Sequence, residues 1–236
     1  MGRMVSFKAN GRAGDGYLAT PKGGRGPGLI VVQEWWGLVD HIKDLCERFS
    51  YEGYFALAPD LFHGEKTTSP DAAGKLMMAL NIGEAAKDLR GAANYLIGLD
   101  GVAPKRVATV GFCMGGQLAL YAGCEFPELI GAVVDFYGIH PAVKPNLSRL
   151  SGPVLGHFAD KDKGTPPETA NALVKQLRDA GKEVEVHFYD ADHAFFNDTR
   201  PAVHDAEASK LAWERTLAFL GKAGFKVEGR GSSVEG

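Results

Sequence analysis

Residues 107–116, Val-Ala-Thr-Val-Gly-Phe-Cys-Met-Gly-Gly, decide the fold of this chain. The apolar run Val107–Phe112 predicts a buried strand, and the segment after the glycines has the apolar spacing of a helix. Cys113 stands at the sharp turn between them, in the pattern glycine-x-nucleophile-x-glycine. Gly111 and Gly115 relieve the crowding of such a turn because they lack a Cβ atom. A buried cysteine at an ordinary strand-to-helix junction is the alternative, but the flanking glycines favour a nucleophile.

The predicted helix begins at Cys113, and this placement suits a charged nucleophile. The free N–H groups of the first turn and the helix dipole face any negative charge that develops there. The same dipole favours the thiolate form of Cys113 over the thiol. We therefore interpret Cys113 as the centre of a site at the end of a strand.

Composition limits the other possibilities. The 236 residues, 45% hydrophobic and 23% charged, fit one large soluble globular domain. A net charge of −3 without a run of lysine and arginine argues against nucleic acid or a membrane surface as partner. The cysteines, at 46, 113 and 124, indicate reduced thiols in a cytoplasmic protein, and we find no signal peptide or membrane-spanning run. No metal-binding motif occurs in the sequence, so we expect no metal and no cofactor.

Apolar runs alternate with helical patterns along the chain. Besides the helix after Cys113, we predict helices at residues 40–51, 70–79, 84–97, 166–180 and 202–220. Short strands at 5–8 and 16–19 are expected to form an antiparallel pair at the edge of the sheet. The alternation indicates an α/β fold with a mostly parallel central sheet and helices on both faces. In this interpretation residues 1–228 form a single domain and 229–236 a disordered tail.

Reactive side chains follow four of the predicted strands. They are Glu34, Cys113, Asp162 and His193. Ligands of such sheets bind outside the carboxyl ends of the strands, where these residues are expected. A cysteine nucleophile needs a base for its proton, and the base needs a carboxylate to fix its tautomer. Asp160 competes with Asp162 for that role; we favour Asp162, at the crest of its loop, because Asp160 suits a strand-end turn.

Several segments of the chain resemble the dienelactone hydrolase family, carboxymethylenebutenolidase-like α/β-hydrolases. The segments are Gln33-Glu34-Trp35-Trp36-Gly37, residues 53–61, residues 111–116 and Asp192-His193-Ala194-Phe195. The combination of the cysteine turn with the Gln-Glu pair is specific to this family, and the resemblance extends from about Gly16 to Leu220. It implies the α/β-hydrolase fold, in which nucleophile, acid and histidine follow one another along the chain as Cys113, Asp162 and His193 do here.

The resemblance also implies roles for particular residues. The catalytic residues would be the nucleophile Cys113, the general base and acid His193, and its orienting carboxylate Asp162. Glu34 would contact the resting thiol and help it to ionise when substrate arrives. The backbone N–H groups of Met114 and Trp35 would form the oxyanion hole.

The substrate pocket departs from the family pattern. Lactone-cleaving members hold a substrate carboxylate with arginines and a tyrosine, and the matching positions here are Pro70, Gly74 and Asn197. None of these residues offers a cationic fork, so we expect a neutral or aromatic substrate, with Arg200 as a remote carboxylate candidate. Candidate substrate contacts, for several of which core packing is the alternative, are Trp36, Met77, Phe136, Phe195 and Arg200.

We therefore predict a carboxylic ester hydrolase that acts on a small-molecule ester or lactone, as a monomer or small homo-oligomer. Cys113 would form a thioester acyl-enzyme, which water hydrolyses with the help of His193. Three alternatives stay open. The same fold could hydrolyse phosphotriesters or thioesters, the same residues could serve a lyase or acyltransferase, or Cys113 could be a reactive thiol in a non-catalytic protein.

Overall fold

The computed structural model describes residues 2–9 and 11–227, so the tail predicted at 229–236 lies outside the described residues. The strands are β1 (Arg3–Ala9), β2 (Arg12–Ala19), β3 (Gly26–Val32), β4 (Phe55–Pro59), β5 (Val102–Phe112), β6 (Ile130–Phe136), β7 (Val154–Ala159) and β8 (Val184–Tyr189). The helices are α1 (Asp40–Tyr51), α2 (Pro70–Ala79), α3 (Ile82–Gly98), α4 (Met114–Glu125), α5 (Pro167–Asp179) and α6 (Ala206–Lys222), with a short 3-10 turn at Leu147–Arg149. None of the helices in this part of the chain is long and apolar enough to cross a membrane.

All eight strands form one sheet, in the order β1-β2-β4-β3-β5-β6-β7-β8. β2 pairs antiparallel with both β1 and β4, and every other neighbouring pair is parallel. The predicted antiparallel edge pair and the mostly parallel sheet are both confirmed. Every residue of β6 is buried, as expected for a parallel strand covered on both faces.

Alternate side chains of β3 point to opposite faces of the sheet and divide the core in two. Leu29 and Val31 pack with α1 and α6 in one apolar cluster. Ile30 and Val32 pack with α3 and α4 in the other. The helices thus cover both faces, and the carboxyl edge of the sheet is the place where loops can form a site.

The last helix begins later than the sequence predicts. We expected it from Ala202, but residues 201–203 form a turn and α6 starts at Ala206. The side chain of Asp205 accepts a hydrogen bond from the backbone N–H of Ala208 at 2.8 Å. This cap satisfies an N–H group that has no partner within the helix, and so it fixes the helix start. The other predicted helix bounds agree with the structure to within two residues.

Candidate active site

The carboxyl edge of the sheet brings the four predicted reactive residues together. Glu34 follows β3, Cys113 follows β5, Asp162 follows β7 and His193 follows β8. These strands are neighbours in the sheet apart from β6, which lies between β5 and β7. The side chains therefore share the edge at which open α/β sheets bind ligands.

Cys113 occupies a strained turn between β5 and α4. Its backbone has φ 54° and ψ −128°, a conformation that costs a residue with a side chain about 1–3 kcal/mol. The N–H group of Cys113 donates to the carbonyl of Phe136 at 3.0 Å, and its own carbonyl accepts from the N–H of Gly116 at 2.9 Å. These bonds hold the half-buried thiol at the N-terminus of α4.

Gly115 lets this turn approach the end of β3 closely. A Cβ atom at this position would lie 2.5 Å from the carbonyl oxygens of both Val32 and Gln33. The segment that contains Trp35 is thereby brought to the turn. Among the described residues, no group accepts a hydrogen bond from the backbone N–H of Trp35 or of Met114. The two predicted oxyanion donors are therefore free to bind a developing negative charge.

His193 and Asp162 form a short charge-assisted hydrogen bond. The distance from His193 Nδ1 to Asp162 Oδ2 is 2.6 Å. The other oxygen of Asp162 accepts backbone N–H groups from Gly164 at 2.7 Å and Thr165 at 2.8 Å. Burial alone would raise the pKa of Asp162, but the hydrogen bonds from His193 and these N–H groups lower it below its ordinary value. Asp162 is therefore ionised and fixed in orientation.

The competing carboxylate, Asp160, takes no part in this contact. Its side chain is exposed, and its backbone N–H donates to the carbonyl of Tyr189 at 2.8 Å, which continues the strand pairing. The choice of Asp162 over Asp160 therefore agrees with the geometry. Asp160 has the strand-end position that the sequence indicated.

Burial would lower the pKa of His193, yet its partners raise it to about 10. Hydrogen bonds to the side chains of Asp162 and Cys113, together with their charges, favour the imidazolium form. Because Nδ1 is bonded to Asp162, Nε2 is the ring nitrogen that remains to act on Cys113. The histidine can therefore hold a proton between the sulfur atom and the carboxylate at neutral pH.

Glu34 is buried, and among the described residues no hydrogen bond joins it to the thiol of Cys113. Its Oε2 accepts a hydrogen bond from Asn197 Nδ2 at 2.8 Å, and its Oε1 has no hydrogen-bond partner among the described residues. The contact with the resting thiol that the resemblance implied stays a prediction, because the hydrogen-bond partner that the structure gives Glu34 is Asn197. Burial raises the pKa of Glu34, while Asn197 and the charges of His193 and Arg200 act in the opposite direction.

The sequence analysis missed Tyr137, which follows β6 at the same edge. Its ring centroid lies 5.1 Å from that of His193, the side chain is fully buried, and its hydroxyl makes no hydrogen bond to a described residue. Its backbone has φ 45°, a left-handed conformation. The only sequence signal was a tyrosine between the end of a predicted strand and a glycine.

A cavity of about 420 Å³ is lined by Asn197, the hydrogen-bond partner of Glu34, whereas Glu34, Cys113, Asp162 and His193 are not among its lining residues. Arg200 lines it, with its guanidinium 5.2 Å from the ring centroid of Trp36. This guanidinium makes no hydrogen bond or ion pair within residues 2–9 and 11–227. Arg200 is therefore closer to the site than the sequence indicated, and its charge acts on both Glu34 and Tyr137. Other residues that line the cavity are Val39, Asp40, His41, Thr67, Thr68, Pro70 and Thr199.

Three of the predicted substrate contacts do not line this cavity. Phe136 and Phe195 are 1% and 0% exposed and belong to the core, where both pack against Tyr137. Met77 on α2 packs against the apolar cluster on the α3 side of the sheet. Core packing, the alternative for these residues, therefore describes the positions of Phe136 and Phe195, whereas the role of the partly buried Met77 stays a prediction. Trp36 and Arg200 are the predicted contacts that do reach the cavity.

The described part of the chain holds no group of three or more His, Cys, Asp or Glu residues that could bind a metal ion. The chemistry available at the edge is that of a thiol, an imidazole held by a carboxylate, two free N–H groups and a second, buried carboxyl group. This set suits attack on a carbonyl carbon and stabilisation of the resulting oxyanion.

Comparison with known proteins agrees with this chemistry. Residues 15–224 match the model of the dienelactone hydrolase family. "Protein usf" of Aquifex pyrophilus is 38% identical over 227 residues, which cover 93% of this chain and 98% of that protein. The "Putative carboxymethylenebutenolidase" of Aquifex aeolicus is 34% identical over 227 residues, with 93% and 98% covered. The crystal structure of a "Putative Dienelactone Hydrolase" from Klebsiella pneumoniae superposes with a TM-score of 0.84 at 31% identity, covering 94% of this chain and 98% of that one. The chain therefore belongs to the dienelactone hydrolase family of ester hydrolases, with the α/β-hydrolase fold.

Proposed function

We propose that this enzyme cleaves small esters or lactones through the triad Cys113, His193 and Asp162 and a thioester acyl-enzyme. One observation carries the proposal. The 2.6 Å bond between His193 and Asp162 lies beside a cysteine held at φ 54° at the start of a helix. A nucleophile, a base and an orienting carboxylate in this order are the minimal set for acyl transfer through a covalent intermediate.

In the first step the Cys113 sulfur attacks the carbonyl carbon of the ester. The oxyanion accepts hydrogen bonds from the N–H groups of Trp35 and Met114. His193, whose pKa is raised to about 10, carries the proton that the leaving alkoxide needs. The C–O bond breaks, the alcohol leaves, and the acyl group stays on sulfur as a thioester.

In the second step water hydrolyses the thioester. Once the sulfur is acylated, it can no longer raise the pKa of His193 through a hydrogen bond or a negative charge. The imidazole then has only Asp162 as a partner and becomes a better base for the incoming water. The carboxylic acid leaves, and the sulfur and His193 return to their resting state. The reaction requires no cofactor.

The cavity indicates the class of substrate. Trp36 offers an aromatic wall, and Arg200 offers a cation without an ion-pair partner among the described residues. Aryl esters and small lactones fit these walls, and a substituent with negative charge could pair with Arg200. We propose an aromatic ester or lactone as the preferred substrate. Phosphotriesters, the substrates of the alternative function that the same fold allows, belong in the same panel of test substrates.

The test is hydrolysis of a short-chain aryl ester and of cis-dienelactone by the wild type and by Cys113→Ala. We expect turnover in the wild type, its loss in the variant, and an acyl group on Cys113 detected by mass spectrometry after rapid acid quenching. Cys124→Ala is the matched control, because this cysteine is fully buried within α4 and away from the site. Full activity of Cys113→Ala, or an acyl group on another residue, would refute the mechanism.

A further inference from the structure

Tyr137, directly after β6 at the carboxyl edge of the sheet, carries a polar group that has no hydrogen-bond partner among the described residues. The side chain is 0% exposed, and its hydroxyl makes no hydrogen bond in the part of the chain that the structure describes. Burial raises the pKa of Tyr137 well above its ordinary value, and the charges of Glu34 and Cys113 raise it further. The hydroxyl therefore keeps its proton and is available as a hydrogen-bond donor.

The backbone holds Tyr137 in place at some cost. A φ of 45° is uncommon for an aromatic residue. The N–H of Tyr137 donates to the carbonyl of His157 at 2.7 Å, and its carbonyl accepts from Thr165 Oγ1 at 3.3 Å. The backbone N–H of the same Thr165 donates to Asp162 at 2.8 Å. The strained residue is thus fastened to the loop that orients the triad carboxylate, and such strain is typical of functional sites.

Glu34 supplies the complementary group. It is 1% exposed, Asn197 holds its Oε2 at 2.8 Å, and its Oε1 is an acceptor with no partner in the described residues. Glu34 follows β3 and Tyr137 follows β6, so both lie at the carboxyl edge of the sheet, and the charge of Glu34 acts on Tyr137. Buried donors and acceptors that lack protein partners are characteristically bridged by an ordered water molecule with two to four polar contacts.

We propose that the Tyr137 hydroxyl and Glu34 Oε1 together hold the water molecule that hydrolyses the thioester. This inference rests on the function proposed above. Tyr137 donates a hydrogen bond to one lone pair of the water oxygen, and Glu34 Oε1 accepts a hydrogen bond from one water O–H group, which keeps its proton. His193 Nε2 accepts the other proton as the oxygen attacks with its second lone pair. A new C–O bond forms, the C–S bond breaks with its electron pair returning to Cys113, and the carboxylic acid leaves.

The test separates acylation from deacylation in Tyr137→Phe, which keeps the ring and removes the hydroxyl. With an aryl ester in a stopped-flow instrument, we expect a burst rate like that of the wild type and a deacylation rate about 10- to 100-fold lower. The thioester on Cys113 should accumulate. Because hydroxylamine is a stronger nucleophile and needs less positioning, it should restore turnover of the variant more than that of the wild type. Glu34→Ala should show the same selective loss.

Tyr54→Phe is the matched control. Tyr54 is also buried, and its hydroxyl bonds to the carbonyl of Phe225 at 3.2 Å, away from the carboxyl edge. Its deacylation rate should equal that of the wild type. A deacylation rate of Tyr137→Phe within about twofold of the wild type would overturn the inference, and so would a slower burst in place of slower deacylation. If no acyl group forms on Cys113 in the wild type, the proposed function itself fails.

Discussion

Replacing Asp162 by asparagine tests the central contact of the site. The variant keeps the oxygen that accepts the N–H groups of Gly164 and Thr165 at 2.7 Å and 2.8 Å. With that oxygen in place, an NH₂ group faces His193 Nδ1 across the former 2.6 Å contact. The imidazole must then accept at Nδ1 and carry its proton at Nε2, so it cannot take a proton from Cys113 or from water.

The expected loss follows from this change of tautomer. We expect kcat to fall by about 10²- to 10⁴-fold, the range for a triad carboxylate, which corresponds to about 3–5 kcal/mol of transition-state stabilisation. The pKa of His193, now raised to about 10, should fall because the hydrogen bond and the charge of Asp162 are lost together. The substitution changes few atoms, so folding should survive, although a hydrogen bond to a charged group is worth about 1.5–3 kcal/mol.

The assay is steady-state hydrolysis of an aryl ester between pH 5 and about pH 10, with thermal melting of each variant alongside. Asp160→Asn is the matched control, since it makes the same change two residues away on an exposed side chain. That control should retain wild-type rates. A folded Asp162→Asn enzyme with near wild-type kcat, or equal losses in the two variants, would refute the assignment of the triad carboxylate.

Three further predictions concern the same site. In Cys113→Ala the pKa of His193, which is raised to about 10 in the wild type, should be lower, because the substitution removes a hydrogen bond and a charge that raise it. NMR titration of the imidazole measures this pKa, and an unchanged value would contradict the prediction. Gly115→Ala places a Cβ atom 2.5 Å from backbone oxygens and should lower the free energy of unfolding by about 1–3 kcal/mol or more. Gly221→Ala is the control: a Cβ atom at this position near the end of α6 would have no neighbouring atom within 4 Å, so the variant should be as stable as the wild type or more stable. Denaturant titrations measure both changes. Arg200→Ala should raise KM about 10-fold or more for an aryl ester that carries a carboxylate, and it should leave KM for the matching neutral ester nearly unchanged. Equal effects on the two esters would show that Arg200 does not bind the substrate carboxylate.

Chain order and strand ends made most of the site predictable. A parallel sheet places the carboxyl ends of its strands at one edge, so the residues that follow β3, β5, β7 and β8 had to lie at that edge. The turn at Cys113 was recognisable because Gly111 and Gly115 remove the Cβ atoms that would prevent it. The preference for Asp162 over Asp160 also followed from the sequence, which places Asp162 at the crest of the loop and Asp160 at the end of the strand.

Side-chain direction at the strand ends could not be predicted in the same way. Phe136 and Tyr137 are consecutive, and a period of two assigns them to opposite faces only while the strand continues. The backbone φ of 45° at Tyr137 ends this alternation, and the residue at position 137 is not a glycine that would indicate such a conformation. The sequence predicts Phe136 and Phe195 as substrate contacts, whereas the structure places both side chains in the core. The direction of Glu34 depends on Asn197, which is 163 residues further along the chain.

The residue at position 197 connects these observations. A buried carboxyl group needs a partner, and Asn197 supplies a neutral donor at 2.8 Å. An arginine at position 197 would offer Glu34 a positively charged partner. The asparagine that stands there leaves Glu34 Oε1 without a hydrogen-bond partner among the described residues, and the positive charges that act on Glu34 are those of His193 and Arg200. Asn197 is then the hydrogen-bond partner of Glu34, and His193 is the group whose pKa responds to Cys113. The unpaired Oε1 of Glu34 is the acceptor on which the proposed water site depends. The same asparagine thus stands where a cationic anchor is expected and leaves the acceptor on which the proposed water site depends, and the titration of His193 in Cys113→Ala tests whether the imidazole is the partner of Cys113.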